Sequence, residues 1–253
     1  MTNIILSGCN GKMGQVITRL VSERDDVKIV GGIDINDCLK NTYPVFTCLE
    51  DCNVDADVIV DFSHPSAFDK LMEFAKEKNL PIVVATTGLS PEQREKLKAY
   101  SESIPVFFSA NMSLGINLLI ALAKKAARVL ESGFDIEIVE QHHNLKIDAP
   151  SGTALAIADG INEEMGNTFE FVYDRHAYRK QRDKKEIGIH AIRGGTIVGK
   201  HDVIFAGCDE VITLKHEATS KEVFAVGSIK AAVFMKGKQN GLYSMTDLIG
   251  DVI

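Results

Sequence analysis

The chain has 253 residues, 45% hydrophobic and 25% charged, a composition that suits one large soluble domain or two smaller ones. Its formal net charge of −7 argues against nucleic acid as a partner, because phosphate binding needs a basic face. No apolar run approaches the ~20 residues of a membrane span, so no membrane partner is expected.

Asn3–Ser7 is a short apolar run leading straight into a glycine turn. It has no cationic lead and no cleavage site, so it reads as a strand and not a signal peptide. Five cysteines, none in a CxxC pair, read as free thiols of a cytoplasmic protein, with no metal site.

Lys12–Val21 carries Met13, Val16, Ile17, Leu20 and Val21 near one face, the spacing of an amphipathic helix. Val27–Ile33 and Val58–Phe62 are further strand-like runs. Pro65 and an amphipathic segment, Ala67–Lys78, follow the second of these. Pro81–Thr86 is again strand-like. Ser90-Pro91-Glu92 combines an N-cap, a proline at the first helical position and an acidic first turn, which together start a helix. Pro105–Phe108 is the next strand. Strands alternating with helices of ten to fifteen residues imply βαβ units and a parallel sheet.

The pattern changes after Asn111. Leu114–Leu130 reads as one long helix ending near Gly133, Phe134–His142 as a strand, and Ala154–Met165 as a helix. Ile187–Ile192, Thr196–Phe205 and Glu210–Glu217 are three strand-like runs with only short turns between them, which predicts an antiparallel meander. Arg179–Lys185, interrupted by Asp183, reads as a solvated basic loop. Lys221–Met235 is helical and is expected to return to the first domain. The expected fold is α/β: an N-terminal doubly wound, Rossmann-like domain plus an α+β domain with a mixed, largely antiparallel sheet. The expected boundaries are 1–112 with 221–253 for the first, and 113–220 for the second.

Gly8-Cys-Asn-Gly11-Lys-Met-Gly14 lies between the first strand and the first helix. Glycines there allow a tight turn and a close approach of backbone to a pyrophosphate, which then faces the helix N-terminus. The spacing is GxxGxxG, with Asn10 where the dinucleotide fingerprint has its second glycine. Asp34, twenty residues past Gly14, stands where an acid accepts hydrogen bonds from the adenosine ribose. Its charge repels a 2′-phosphate, and Ile35 beside it offers no cation. NADH is therefore the expected cofactor, with NADPH the weaker alternative and Lys12 the cation nearest to hand. Two more turns follow strands: Asp61-Phe-Ser-His-Pro65 and Ala85-Thr-Thr-Gly88. An open α/β sheet binds its ligand at such strand ends.

EQHHNLKIDAPSGTA, Glu140–Ala154, holds two histidines, a lysine and a Ser-Gly-Thr turn. Ser151 is a candidate N-cap, and Gly152 and Thr153 supply N–H groups at a helix start, where an anion is welcome. Lys146 adds a full charge, and a histidine exchanges protons near neutral pH. The combination predicts a pocket for an anionic substrate with a proton donor beside it. Taken singly, each piece has a plainer structural explanation.

This stretch resembles the signature E-x-H-H-x-x-K-x-D-A-P-S-G-T-A of the bacterial 4-hydroxy-tetrahydrodipicolinate (dihydrodipicolinate) reductases. GCNGKMG, DFSHP, ATTG, SANMSLGIN, IRGGTIVGKHDVIFAG and GLYSM extend the resemblance over nearly the whole chain. The resemblance implies NAD(P)H-dependent reduction of a small cyclic imine dicarboxylate in lysine and diaminopimelate synthesis, by a homotetramer. It implies His142 as general acid and Lys146 as its catalytic partner. His143, Gly152 and Thr153 would hold substrate carboxylate oxygens. Gly8, Asn10, Gly11, Lys12, Met13, Gly14, Asp34 and Phe62 would contact the cofactor, and Thr87, Gly88, Ala110 and Met112 would line the nicotinamide pocket. The sequence departs from the pattern at Asn10, a common glycine, and at Ile35, where some members carry an arginine for NADPH. Two rival readings remain at this point: an NAD-dependent amino-acid dehydrogenase of the aspartate branch, and a nucleotide-sensing regulator that keeps the dinucleotide domain.

Overall fold

The computed structural model describes residues 1–130, 133–176 and 179–250, which form two compact units. The first comprises Met1–Leu114 and residues 222–250, and the second Gly115–Lys221. The last long helix thus belongs with the N-terminal unit.

The first unit is built on a seven-stranded sheet in which every pairing is parallel. Its strands are β1 (Thr2–Ser7), β2 (Val27–Ile33), β3 (Val45–Phe46), β4 (Val58–Asp61), β5 (Ile82–Val84), β6 (Pro105–Phe108) and β12 (Gly241–Tyr243), in the order β12-β6-β5-β4-β1-β2-β3. Parallel strands covered on both faces are apolar at nearly every position. Here Ile4 and Leu6 of β1, with Val58 and Val60 of β4, pack on one face with Ile17 and Val21 of α1 (Lys12–Ser22). Ala225 and Ile229 of α6 (Glu222–Met235) complete that layer. Ile5 and Ile59 point the other way, onto Phe68, Leu71 and Met72 of α2 (Phe68–Glu77) and Leu97 of α3 (Pro91–Ser101). The sheet is therefore doubly wound, as the alternation of elements predicts. Helix α3 starts where its sequence says: Ser90 and Gln93 form a reciprocal capping box and Pro91 takes the first position.

The second unit has a five-stranded mixed sheet in the order β11-β10-β7-β9-β8. The strands are β7 (Asp135–His142), β8 (Glu170–Val172), β9 (Glu186–Arg193), β10 (Gly199–Ala206) and β11 (Val211–Ala218). Helices α4 (Leu114–Leu130) and α5 (Gly152–Glu164) cover one face, with Leu119, Ala123, Ile157 and Ile161 against Ile136, Ile138, Ile187 and Val203.

Two expectations are corrected here. The three runs from Ile187 onward do not form a meander. Only β10 and β11 make a hairpin; β7 inserts between β9 and β10, antiparallel to β10 and parallel to β9. With β8 also parallel to β9, the sheet is mixed as expected, its two antiparallel pairings being β7–β10 and β10–β11. Nor is the basic loop simply solvated. Arg182 donates to Glu137 at 3.0 Å, to Asp135 at 3.1 Å and to the carbonyls of Ile136 and Glu186, and only 18% of its side chain is exposed. Glu137 lies on the sheet face opposite the helices, over Gly188, and a guanidinium with five donors satisfies it where water is partly excluded.

Candidate functional site

In the first unit, four of the predicted cofactor residues form a cradle at the C-terminal end of β1. Gly8 has φ +76°, a conformation that suits glycine, and a Cβ there would meet the Phe62 carbonyl oxygen at 2.5 Å. A Cβ on Gly14 would lie 2.2 Å from the Gly8 oxygen. The turn can exist only without those side chains. Gly11 is the N-cap of α1 and offers no side chain to its amides, and the first turn holds no acid. Uncapped amides without a competing carboxylate fit a pyrophosphate, so the residues present suit a dinucleotide.

Asn10 has a larger part than its spacing suggests. Its backbone N–H donates to Asp34 at 2.9 Å, and its side-chain amide donates to the Asn36 carbonyl. Its Oδ1 accepts from Asn41 at 2.8 Å. Gln15 bonds Asn41 at 3.1 Å and the Cys9 carbonyl at 3.0 Å. A glycine would keep the backbone bond to Asp34 but not the side-chain ties to Asn36 and Asn41. Asp34 also accepts from the Asn36 N–H at 3.0 Å, so both its oxygens are oriented from the backbone. Asn36, Asn41 and Gln15 were missed because nothing in their spacing marks them. Lys12 and Ile35 are exposed, and Met13 is half-buried against the core.

The turns after β4 and β5 are tied together by a bond between Thr86 and the buried Asp61, at 2.7 Å. Phe62 meets the cradle through its main chain while its ring packs on the core. Thr87, Gly88 and Ala110 lie exposed just past the ends of β5 and β6. Met112 differs: the residue is 3% exposed, belongs to the core and has its carbonyl against Gly227, so the structure does not present it at the surface as the resemblance implies.

In the second unit, β7 alternates faces, so Glu140 and His142 both point under the helices with Ile136 and Ile138. His142 Nδ1 lies 2.6 Å from Glu140 Oε2. Ser151 caps α5 as predicted, accepting from the Ala154 N–H at 3.2 Å, while its own N–H donates to Glu140 Oε1 at 2.9 Å. Arg193, at the end of β9, donates to both Glu140 oxygens at 2.8 and 2.7 Å. Burial pushes the Glu140 carboxyl up, but the bonds from Arg193, His142 and the Ser151 N–H outweigh it and hold the group below the usual carboxylate range. Gly199 borders His142: a Cβ there would stand 3.1 Å from His142 Nε2.

His201 on β10 completes the cluster. Its ring meets that of His142 edge-on at 5.2 Å, and its Nε2 lies 3.2 Å from Ser151 Oγ. Burial, then the nearby His142, pushes its pKa down to about 4. The folded protein therefore binds fewer protons at this ring than the unfolded chain does. Its stability is fully present above the ordinary value of 6.5 and is lost as pH falls from there toward about 4. Urea midpoints are expected to drop between pH 7 and pH 4.5, and His201→Gln is expected to shallow that drop. The half-buried His216, shifted the same way, leaves a residual slope. An unchanged slope in His201→Gln would refute the assignment.

Lys146 pairs with Asp148 at 2.8 Å, and its N–H donates to the His143 carbonyl at 3.1 Å. The Lys146 bond holds the Asp148 carboxyl below its usual range against a smaller push from burial, and the Gly152 N–H adds to the lowering. One carboxylate is thus paired with the lysine and feels the positive start of α5. Gly152 is exposed, and His143 and Thr153 are half-buried. Sequence reading missed Arg193 altogether and gave Glu140 no role, although its alternation with His142 was visible.

Family models described as dihydrodipicolinate reductase, N-terminus and C-terminus, match residues 2–112 and 115–249. The chain is 53% identical to the 4-hydroxy-tetrahydrodipicolinate reductase of Caldanaerobacter subterraneus subsp. tengcongensis, with 98% of each chain covered. It is 51% identical to that of Clostridium novyi, again over 98% of each. Among solved structures it resembles a dipicolinate-bound dihydrodipicolinate reductase from Paenisporosarcina sp. TG-14, with TM-score 0.82, 24% identity and coverage of 99% and 100%. A C. glutamicum DAP dehydrogenase in complex with DAP gives TM-score 0.56 at 16% identity over 98% and 95%, a likeness of fold alone.

Proposed function

The chain belongs to the dihydrodipicolinate reductase family, pyridine-nucleotide-dependent oxidoreductases of lysine and diaminopimelate synthesis, and on that premise we propose how its residues divide the reaction. The first unit holds the nicotinamide nucleotide, and the second holds 4-hydroxy-tetrahydrodipicolinate. The observation that carries the substrate reading is Asp148. Its carboxylate is paired with Lys146 at 2.8 Å and is lowered further by the nearby Gly152 N–H, so the positive field at this place favours a carboxylate. In the complex, Lys146 turns to a substrate carboxylate, with His143, Gly152 and Thr153 holding the remaining oxygens.

The bound dihydronicotinamide supplies the hydride. The 4-hydroxyl is lost as water, so the net reduction takes up one hydride and one proton; His142 delivers that proton from Nε2, with Nδ1 directed at Glu140. Lys146 offsets substrate charge, so that a hydride can approach an otherwise dianionic ring. Thr87, Gly88 and Ala110 line the nicotinamide end, and Gly8, Gly11, Gly14 and Lys12 the phosphates, with Asn10, Met13 and Phe62 framing the cradle.

NADH is the preferred cofactor. Asp34 is fixed by two backbone donors beside an exposed Ile35, and that arrangement suits a ribose 2′-hydroxyl over a phosphate. Asp34→Ala is expected to raise the NADH KM by about 10-fold, the loss of a hydrogen bond to a charged group. The NADPH KM should change less or fall. Equal effects on both would remove Asp34 from cofactor choice.

The cellular site is the cytoplasm; among the described residues no helix is long and apolar enough to cross a membrane. The protein works as a homotetramer through the helix-free face of the second sheet, which carries the exposed Ile192 and Val211. Native mass spectrometry tests this directly, and a monomer at micromolar concentration would exclude it.

The function itself is tested by initial rates of NADH and NADPH oxidation, with the imine generated in situ by its upstream synthase. Rapid oxidation, faster with NADH, is expected. A folded protein that binds NADH yet oxidises neither cofactor would defeat the reading.

A further inference from the structure

Glu140 is 0% exposed and ionised, a costly state for a carboxylate. Its surroundings explain why the state persists. Oε2 accepts from His142 Nδ1 at 2.6 Å and Arg193 Nη1 at 2.8 Å. Oε1 accepts from the Ser151 N–H at 2.9 Å and Arg193 Nη2 at 2.7 Å. Each oxygen thus takes two donors, the capacity of a carboxylate. Arg193 is held in turn by the Asp148 and Ile192 carbonyls at 2.6 and 2.8 Å.

We propose that Glu140 is a positioning residue for the reduction, which keeps a proton on His142 Nδ1 and, through its other oxygen, ties the Ser151 turn to the proton donor. This rests on His142 as the donor. An ionised carboxylate can only accept, so the imidazole nitrogen facing it must carry hydrogen in both charge states. Nε2 is then the nitrogen that gains and loses the working proton. It is also the nitrogen beside Gly199, where a side chain would crowd it. The Ser151 bond links this ring to the residues that present the Gly152 and Thr153 amides. One anion therefore sets the spacing between the proton and the substrate carboxylate, and Arg193 keeps that anion charged and fixed in plane.

The other ionisable groups around the ring do not take this part. His201, on β10, is neutral at working pH with its pKa near about 4. His216, on β11, also has its pKa lowered by burial. Lys146 is engaged with Asp148 on the loop after β7. Of these neighbours, Glu140 is the one bonded to Nδ1.

The test is nitrogen NMR of the full-length enzyme with labelled histidine, the His142 signals being identified by their absence in His142→Gln. In the wild type at alkaline pH, where the ring is neutral, the Nδ1–H tautomer is expected. In Glu140→Gln that tautomer is expected to give way to a mixture. The same variant should lose on the order of 10- to 100-fold in kcat, the range for loss of an orienting partner. Its kcat–pH profile should move to lower pH and its NADH affinity stay unchanged. Glu140→Asp, which restores an acceptor, should recover part of both signals. A wild-type Nε2–H tautomer would overturn the proposal without any variant, should Glu140→Gln not fold. A folded Glu140→Gln with lower Tm and kcat but the wild-type tautomer and pH profile would overturn it too, leaving Glu140 as structure only. Full turnover in His142→Gln would instead remove the proton donor itself, a failure of the functional reading that the tautomer measurement distinguishes.

Discussion

Replacing His142 with glutamine is expected to lower kcat by roughly 10²- to 10⁴-fold, the usual worth of a positioned general acid. Glutamine keeps a polar group of similar reach but has no proton to release near neutral pH. The kcat–pH profile should flatten on the limb that reports this group, while NADH affinity, set in the other unit, stays within about twofold, less than the effect of a single hydrogen bond. The fold should tolerate the change, because a glutamine amide can still donate to Glu140. Pre-steady-state oxidation of NADH at several pH values separates chemistry from release. A retained profile at a reduced rate would mean that another group delivers the proton, with Lys146 the first to examine.

Lys146→Ala should be nearly as costly, by about 10²- to 10³-fold in kcat/KM, in line with loss of a fixed charge opposite developing or substrate charge. The ammonium is largely sheltered, at 22% exposure, and pairs with the more exposed Asp148. Its removal frees Asp148, so the start of α5 faces an unbalanced carboxylate where the substrate carboxylate should bind. The loss should therefore be felt in KM as well as kcat. Lys146→Arg should recover charge but not geometry, because a planar guanidinium cannot replace a point charge beside a tight turn. Isothermal titration with NADH provides the control: weakened cofactor binding would place Lys146 elsewhere than in the substrate site.

Much of this was legible in the sequence, and particular residues show why. Ser90-Pro-Glu-Gln starts α3 because its capping box is local chemistry, complete within four residues. Gly14 of the β1–α1 turn is legible for the same reason, its close pass being to Gly8 and Cys9, whereas Gly8 is legible by its place in the motif and passes close to the distant Phe62. The short strands β3, β8 and β12, of two or three residues, escaped because they are too brief to show a period. Arg182 looked like part of a solvated run, because nothing local says that Glu137, forty-five positions earlier, will lie beside it.

The sequence by itself determined where the helices and longer strands run, the two faces of β7, the glycine cradle with Asp34, and the short stretch holding His142, Lys146 and Ser151. Apart from the contacts of Gly8 with Phe62 and of Asn10 with Asp34, these rest on interactions spanning a few residues, where propensity, capping and side-chain period act directly. Only the tertiary structure decided that β7 lies between β9 and β10. That pairing brings Arg193, fifty-three residues away, and His201 to either side of Glu140. Strand order depends on which distant edges meet and bury their faces together, and no local pattern encodes that choice. A carboxylate that looked like one more polar residue at a strand end thus became the buried anion on which the proposed proton donor is set.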